Sequence, residues 1–77
     1  MKPSALRILN YLRANGSITG HDALVHCGTT ELRSRISELR KEGYWIAAEW
    51  ETSKNAFGDD VRYKRYHLFM EAKNERP

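Results

Sequence analysis

Seventy-seven residues make one small domain, with room for a single thin core worth about 3–5 kcal/mol at best. A hydrophobic fraction of 40% is that of a folded chain and excludes disorder throughout. Thirteen Lys and Arg against ten Asp and Glu give a net charge of +3 and a pI near 9.2, a balance that mildly favours a polyanionic partner and says nothing about fold.

The chain opens on MKPSALRILNYLRANG, which holds no apolar run long enough for a signal peptide or a membrane span. A soluble, cytoplasmic protein without a membrane partner is therefore expected. Spacing predicts a first helix over residues 4–15. Ala5, Ile8, Leu9 and Leu12 recur at i, i+3, i+4 and i+7, with Leu6 and Tyr11 at the edges of that stripe and Arg7, Asn10 and Ala14 facing water. Pro3 or Ser4 suits the start, and Gly16 stands where a left-handed residue closes a helix. Ser17-Ile18-Thr19 is too short for a hairpin strand by itself but can pair as a third, edge strand, with Ile18 pointing into the core.

Thr19, with Asp22 three residues on, makes a variant of the capping box and opens a short second helix over residues 20–26. Ala23, Leu24 and Cys27 share a face, Val25 does not, and Gly28 ends the helix. Cys27 is the single cysteine, so there is no disulfide framework and no reason to invoke an oxidising compartment. His21, His26 and Cys27 have metal-ligand chemistry but lack the second pair that a structural zinc site needs. Surface histidines and a small buried thiol are the expected roles, and neither a metal nor a cofactor is expected.

The third helix is read over Thr29 to Gly43, TTELRSRISELRKEG, with Thr29 or Thr30 as its cap. Leu32, Ile36 and Leu39 form the buried stripe at i, i+4 and i+7. At about 100° per residue, Thr30, Ser34, Ser37 and Lys41 fall on the opposite face. Arg33 and Arg40 flank that face on one side, and Glu31, Arg35 and Glu38 on the other. Short hydroxyls flanked by arginines suit a major groove, where hydroxyls and Arg reach base edges and basic groups neutralise phosphates. The plainer reading is a solvated helix with helpful charge pairs, and Glu31 to Arg35 at i, i+4 fits it. With the second helix, this one forms a helix-turn-helix unit. Its apolar residues come later than in the compact unit of dimeric repressors, at Ile36 and Leu39 instead of near Ser34 and Ser37, so the turn is longer.

After Gly43 the pattern changes period. Over residues 46–52, Ile46, Ala48 and Trp50 share one face and Ala47, Glu49 and Glu51 the other. Residues 53–60 are polar and turn-forming. Val61 to Leu68 reads as a second strand, with Arg62, Lys64, Tyr66 and Leu68 on one face and Tyr63, Arg65 and His67 on the other. Tyr66 and Leu68 are expected to meet Ile46 and Ala48 over the core, while Arg62 and Lys64 lie near the loop and need not be buried. Trp50 and Tyr66 are expected to fill the core. Trp45 and Phe57 have no packing role in this reading, and their exposure would point to a protein contact. The hairpin tip forms a wing carrying Lys54, Asn55, Arg62 and Lys64, opposed by Asp59 and Asp60. Residues 70–77 are charged and unpatterned and are read as a flexible tail to a domain over residues 1–69.

Catalysis finds little support. No Ser or Cys nucleophile has a His at plausible spacing, and there is no Gly-rich phosphate loop. His67 has no evident acid or base partner, and Asp59-Asp60 reads as a solvated turn. The chain is not expected to be an enzyme.

The order helix, short strand, helix, helix, strand, wing, strand resembles the winged helix-turn-helix superfamily over residues 4–68. The implied fold class is α+β, three helices plus a small antiparallel β-sheet with a β-hairpin wing. More narrowly, ILNYLRANGSITGHDAL, RISELRKEGYWI and RYKRYHL resemble small helix-turn-helix proteins common in bacteriophages and prophages. There an LxxxGSIT-type opening leads to an RISxLRxxGxxI core and an RYxxYxL end. The resemblance implies a DNA-binding module of the bacterial host cytoplasm, with the helix after the turn as reader. Contacts to double-stranded DNA are then expected from Thr29, Thr30, Arg33, Ser34, Ser37, Arg40 and Lys41, and from Lys54, Arg62 and Lys64 of the wing. A transcriptional regulator or an excisionase-like architectural factor fits this reading, with a second copy or another protein as a further partner. The alternative is an interaction module that binds a host or phage protein and not DNA, since winged helices do both. A DNA binder should gather Arg33, Arg40, Lys41, Arg62 and Lys64 on one positive surface, whereas an adaptor should show a neutral or acidic reader helix beside an apolar patch.

Overall fold

A computed structural model of the protein describes residues 2–70. Helix α1 spans Pro3–Asn15, strand β1 Ser17–Thr19, helix α2 Gly20–Cys27, helix α3 Leu32–Lys41, strand β2 Trp45–Lys54 and strand β3 Asp60–Met70. Pro3 stands in the first turn of α1, where its missing N–H costs nothing. Gly16 adopts φ 85° and donates its N–H to the Leu12 carbonyl at 2.7 Å, while its own carbonyl accepts from Leu68 N–H at 3.2 Å. That one left-handed residue therefore ends the helix and starts the sheet.

The capping box of α2 forms as the sequence suggests. Asp22 N–H donates to Thr19 Oγ1 at 3.2 Å, and Thr19 N–H donates to Asp22 Oδ2 at 3.1 Å. Helix α3 begins later than expected. Its N-cap is Glu31, which makes no side-chain capping bond, and Thr29 Oγ1 instead accepts the Glu31 N–H at 3.0 Å in the preceding turn. Residues 28–31 thus form a four-residue connection, in keeping with a turn longer than the compact type.

The sheet is antiparallel in the order β1-β3-β2. Its register pairs Ile46 with Leu68, Ala48 with Tyr66 and Ile18 with Tyr66, so the expected parity holds, but Ala48, expected over the core, is exposed. An irregularity between Trp45 and Ile46 sets Trp45 opposite Met70, which is thus the last residue of β3 and not the start of a tail. The expected tail over residues 71–77 lies outside the described residues. Helices and sheet close on Ile8, Leu9, Leu12, Ile18, Ala23, Cys27, Leu32, Ile36, Leu39, Ile46 and Tyr66. Burial raises the Cys27 thiol above its ordinary pKa, and its Sγ–H faces the Arg7 carbonyl at 3.6 Å.

Three further residues do not lie where the pattern put them. Leu24 is 53% exposed, because an eight-residue helix buries only the narrow line of Ala23 and Cys27. Arg35 is buried where a solvated flank was expected. The start of α1 lies against it: Arg35 Nη1 donates to Ser4 Oγ at 3.4 Å, and Nη2 meets Glu38 at 2.9 Å and Glu31 at 3.7 Å. Trp50 is 59% exposed. It has the right parity for the core face but stands beyond the end of the core, on the part of the hairpin that reaches past the helices.

Candidate nucleic-acid interface

The hydroxyl face of α3 is presented to solvent. Thr30, Arg33, Ser34, Ser37, Arg40 and Lys41 are all exposed, opposite the buried Leu32, Ile36 and Leu39. Thr29 is half-buried and its hydroxyl is spent on the turn. A cleft opens between the starts of α2 and α3 and the middle of β3. Thr30 lines it from the connection before α3, Arg33 from α3, His21 from α2, and Lys64 and Tyr66 from the strand. Helix α3 thus puts one cation into the concavity and β3 two, Lys64 and Arg65, with Asp22 as the carboxylate on the α2 side.

The hairpin sorts its charges by strand alternation. On the face shared with the core, Trp50 stands opposite Lys64, with Thr52 opposite Arg62. Arg62 and Lys64 lie over the Trp50 ring, 4.7 and 5.4 Å from its centroid. On the outer face, Arg65 Nε donates to both Glu51 oxygens at 3.0 Å and its Nη1 reaches Ser17 Oγ at 3.1 Å. His67 Nε2 lies 2.8 Å from Glu49 Oε1, so His67 does have an acidic partner, which the local sequence hid because it comes from the neighbouring strand. Hydrogen bonding from Arg65 lowers the Glu51 pKa, and the same pair raises that of Arg65. The outer face is balanced; the inner face carries unbalanced positive charge.

At the tip, Asn55 Oδ1 accepts from the N–H groups of Phe57 and Asp59 at 2.9 and 3.0 Å, and Gly58 supplies φ 84°. Lys54 Nζ meets Asp60 at 2.6 Å, so the charge expected to reach phosphate is shared with a carboxylate. Arg40 is also partly engaged. Its Nε donates to the Ile46 carbonyl at 2.9 Å and its guanidinium lies 5.9 Å from the Tyr66 ring. Among the described residues, Arg33, Lys41, Arg62 and Lys64 have no carboxylate partner. A chain of contacts runs from Arg40 over Tyr66 to the cleft with Arg33 and Lys64, and on across Trp50 to Arg62. Lys41 stands apart from it at the end of α3.

A family model described as the winged helix-turn-helix domain matches residues 4–71. The chain belongs to that family. No curated protein matches it. Winged helix-turn-helix domains are typically non-enzymatic DNA-binding modules, with α3 here as the helix after the turn and the β2–β3 hairpin as the wing. Among the described residues no helix is long and apolar enough to cross a membrane. His21, His26 and Cys27 do not converge as ligands: His21 lines the cleft, His26 stacks on Tyr11 at 5.3 Å and Cys27 is buried. Ligand atoms of Glu49, Glu51 and His67 do lie within 4.8 Å of one another. Both Glu51 oxygens already face Arg65, whose guanidinium supplies there the positive charge a metal would bring.

Sequence reasoning missed Trp50 as a surface residue of this winged domain. The signal was present: a residue that pairs with Lys64, already placed outside the core, shares its surroundings.

Proposed function

We propose that this winged helix-turn-helix domain binds double-stranded DNA, with α3 in the major groove and the wing along the sugar–phosphate backbone. In this reading it is a small transcriptional regulator or excisionase-like architectural factor of phage type, acting in the cytoplasm of a bacterial host. One observation carries the reading. Three of the cations without carboxylate partners, Arg33, Lys64 and Arg62, follow one another from the cleft to the arm of the wing, whereas Arg65 in the same cleft is neutralised by Glu51, Arg35 by Glu38 and Lys54 by Asp60. A strip of unpaired positive charge beside exposed hydroxyls matches a polyanion that is to be read by sequence.

Arg33 stands in the first turn of α3 beside Thr30 and Ser34, the part of a reader helix that goes deepest into the groove. Its two-pronged guanidinium suits guanine. Ser34 and Ser37 offer hydroxyls to base edges, and Lys41, Arg62 and Lys64 neutralise phosphate. Arg40 stiffens the junction of reader and wing through its bond to Ile46 and keeps an exposed edge for phosphate. Leu24, Val25, Trp45 and Phe69 are each more than half exposed, and they favour a protein partner, a second copy or another chain, in addition to DNA. Titrating the protein into a labelled random-sequence duplex at low salt, read by fluorescence anisotropy, tests the reading. Saturable binding that Arg33→Glu with Lys64→Glu abolishes supports it, and failure of the parent to bind overturns it.

A further inference from the structure

Two tryptophans stand on the surface of this domain, and only one is surrounded by charge. Trp45, 62% exposed at the start of β2, has no cation over its ring among the described residues. Trp50 is equally open at 59%, yet it holds Arg62 and Lys64 at 4.7 and 5.4 Å. Two like charges gathered on one ring repel each other, and in water the attraction of each for the ring is modest. Neither is ion-paired among the described residues: alternation puts Glu49 and Glu51 on the other face with His67 and Arg65, and Asp60, on the same face as Arg62, is held by Lys54. An exposed indole with two unbalanced cations is thus a poor surface for water and a good one for a polyanion that also has apolar edges. A deoxyribose–phosphate backbone has both.

The position agrees with the chemistry. Lys64, directly across the ladder from Trp50, also lines the cleft with Arg33, so the ring continues the surface that begins on α3. We infer that Trp50 is a DNA-contacting residue of the wing, covered by the sugar–phosphate backbone on binding and aligning Arg62 and Lys64 as a paired cationic platform. The inference rests on the duplex-binding reading above and adds to it a residue that net charge alone would not select. Trp50 makes apolar contact itself; towards the two cations it is a positioning residue.

Trp45→Phe leaves Trp50 as the single indole of the chain, and its emission can be followed in the cuvette that reports duplex anisotropy. Duplex binding should quench or shift Trp50 emission and lower its quenching by acrylamide about threefold or more, in step with the rise in anisotropy. Anisotropy that rises while Trp50 stays open to acrylamide overturns the inference and leaves duplex binding intact. No rise in anisotropy removes both. A single strand of equal charge that protects Trp50 better than the duplex makes the ring a base-stacking site and overturns the inference as well. In an otherwise unchanged chain, Trp50→Ala should weaken duplex binding about tenfold and make the salt dependence shallower, with Trp50→Phe retaining most of the affinity. Circular dichroism of both variants should match the parent, since the ring lies outside the core. Equal duplex affinity for parent and Trp50→Ala at matched salt would sink the proposal.

Discussion

The two ends of the β2–β3 hairpin share one ladder but not one source of order. At its base, Ile46 and Tyr66 are buried, and Leu68 packs against the same core as Ile36 and Leu39. Further out, every residue from Thr52 to Arg62 is exposed, and side-chain order comes from an Asn55 turn, the Lys54–Asp60 pair and the two cations on Trp50. Stability is therefore concentrated at the base, and the chemistry offered to a partner at the arm and along α3. Side chains on the arm can change partners at little risk to the fold, while those at the base cannot.

Substitutions in the core on which the base rests should give the largest effects. Ile36→Ala and Leu39→Ala each leave a cavity in the single small core and should cost about 2–5 kcal/mol, close to the whole stability of such a domain. Circular dichroism should show both variants largely unfolded, whereas Phe57→Ala, at an 89% exposed tip, should melt like the parent. Melting curves that rank these variants the other way would erase the distinction between base and arm.

The next effect divides roles along α3. Arg33→Ala should cost about 1–3 kcal/mol on the preferred site and relax sequence preference, as loss of a base contact does. Lys41→Ala, two turns on, should weaken all duplexes alike. The quantity to compare is the ratio of specific to non-specific affinity. If Lys41→Ala lowers it and Arg33→Ala does not, the roles are reversed.

Smaller changes are expected at the arm. Asp60→Asn frees Lys54 and removes a negative charge, so duplex binding at low salt should tighten a fewfold with no change in fold. An unchanged affinity would mean that the tip stays clear of the DNA. Smallest of all is the contribution of Glu51, whose folded pKa is depressed by Arg65. Its stabilisation is complete above the unfolded carboxylate value of about 4.3 and is lost as pH falls through the lower folded value. Glu51→Gln should therefore lower the melting point slightly at neutral pH and remove that part of the further loss seen as pH falls below the unfolded value. A large loss at neutral pH would show that this half-buried pair holds the sheet together.

What could be read in advance followed the same division. Alternation in IAAEW and RYKRYHL was enough to put Ile46, Ala48, Tyr66 and Leu68 on one face, and Thr19 with Asp22 was enough for the capping box. Both are local patterns. Where α3 begins depended on a turn in which Thr29 spends its hydroxyl on Glu31, and the burial of Arg35 on the start of α1, thirty-one residues away at Ser4. Trp50 had core parity, but parity gives the face and not how far along it the helices extend. The candidate site was legible as residue types: hydroxyls and Arg on one helical face, cations on one strand face. Which cations are neutralised, as Lys54 is by Asp60, emerges only from the pairing of the strands.

Salt dependence of duplex affinity tests the central claim most directly. If Arg40, Lys41, Arg62 and Lys64 face the backbone, log affinity should fall with log salt with a slope of roughly −0.9 per phosphate neutralised, about −3 to −4 in all. Duplex binding that is absent at low salt, or indifferent to salt, would contradict the account.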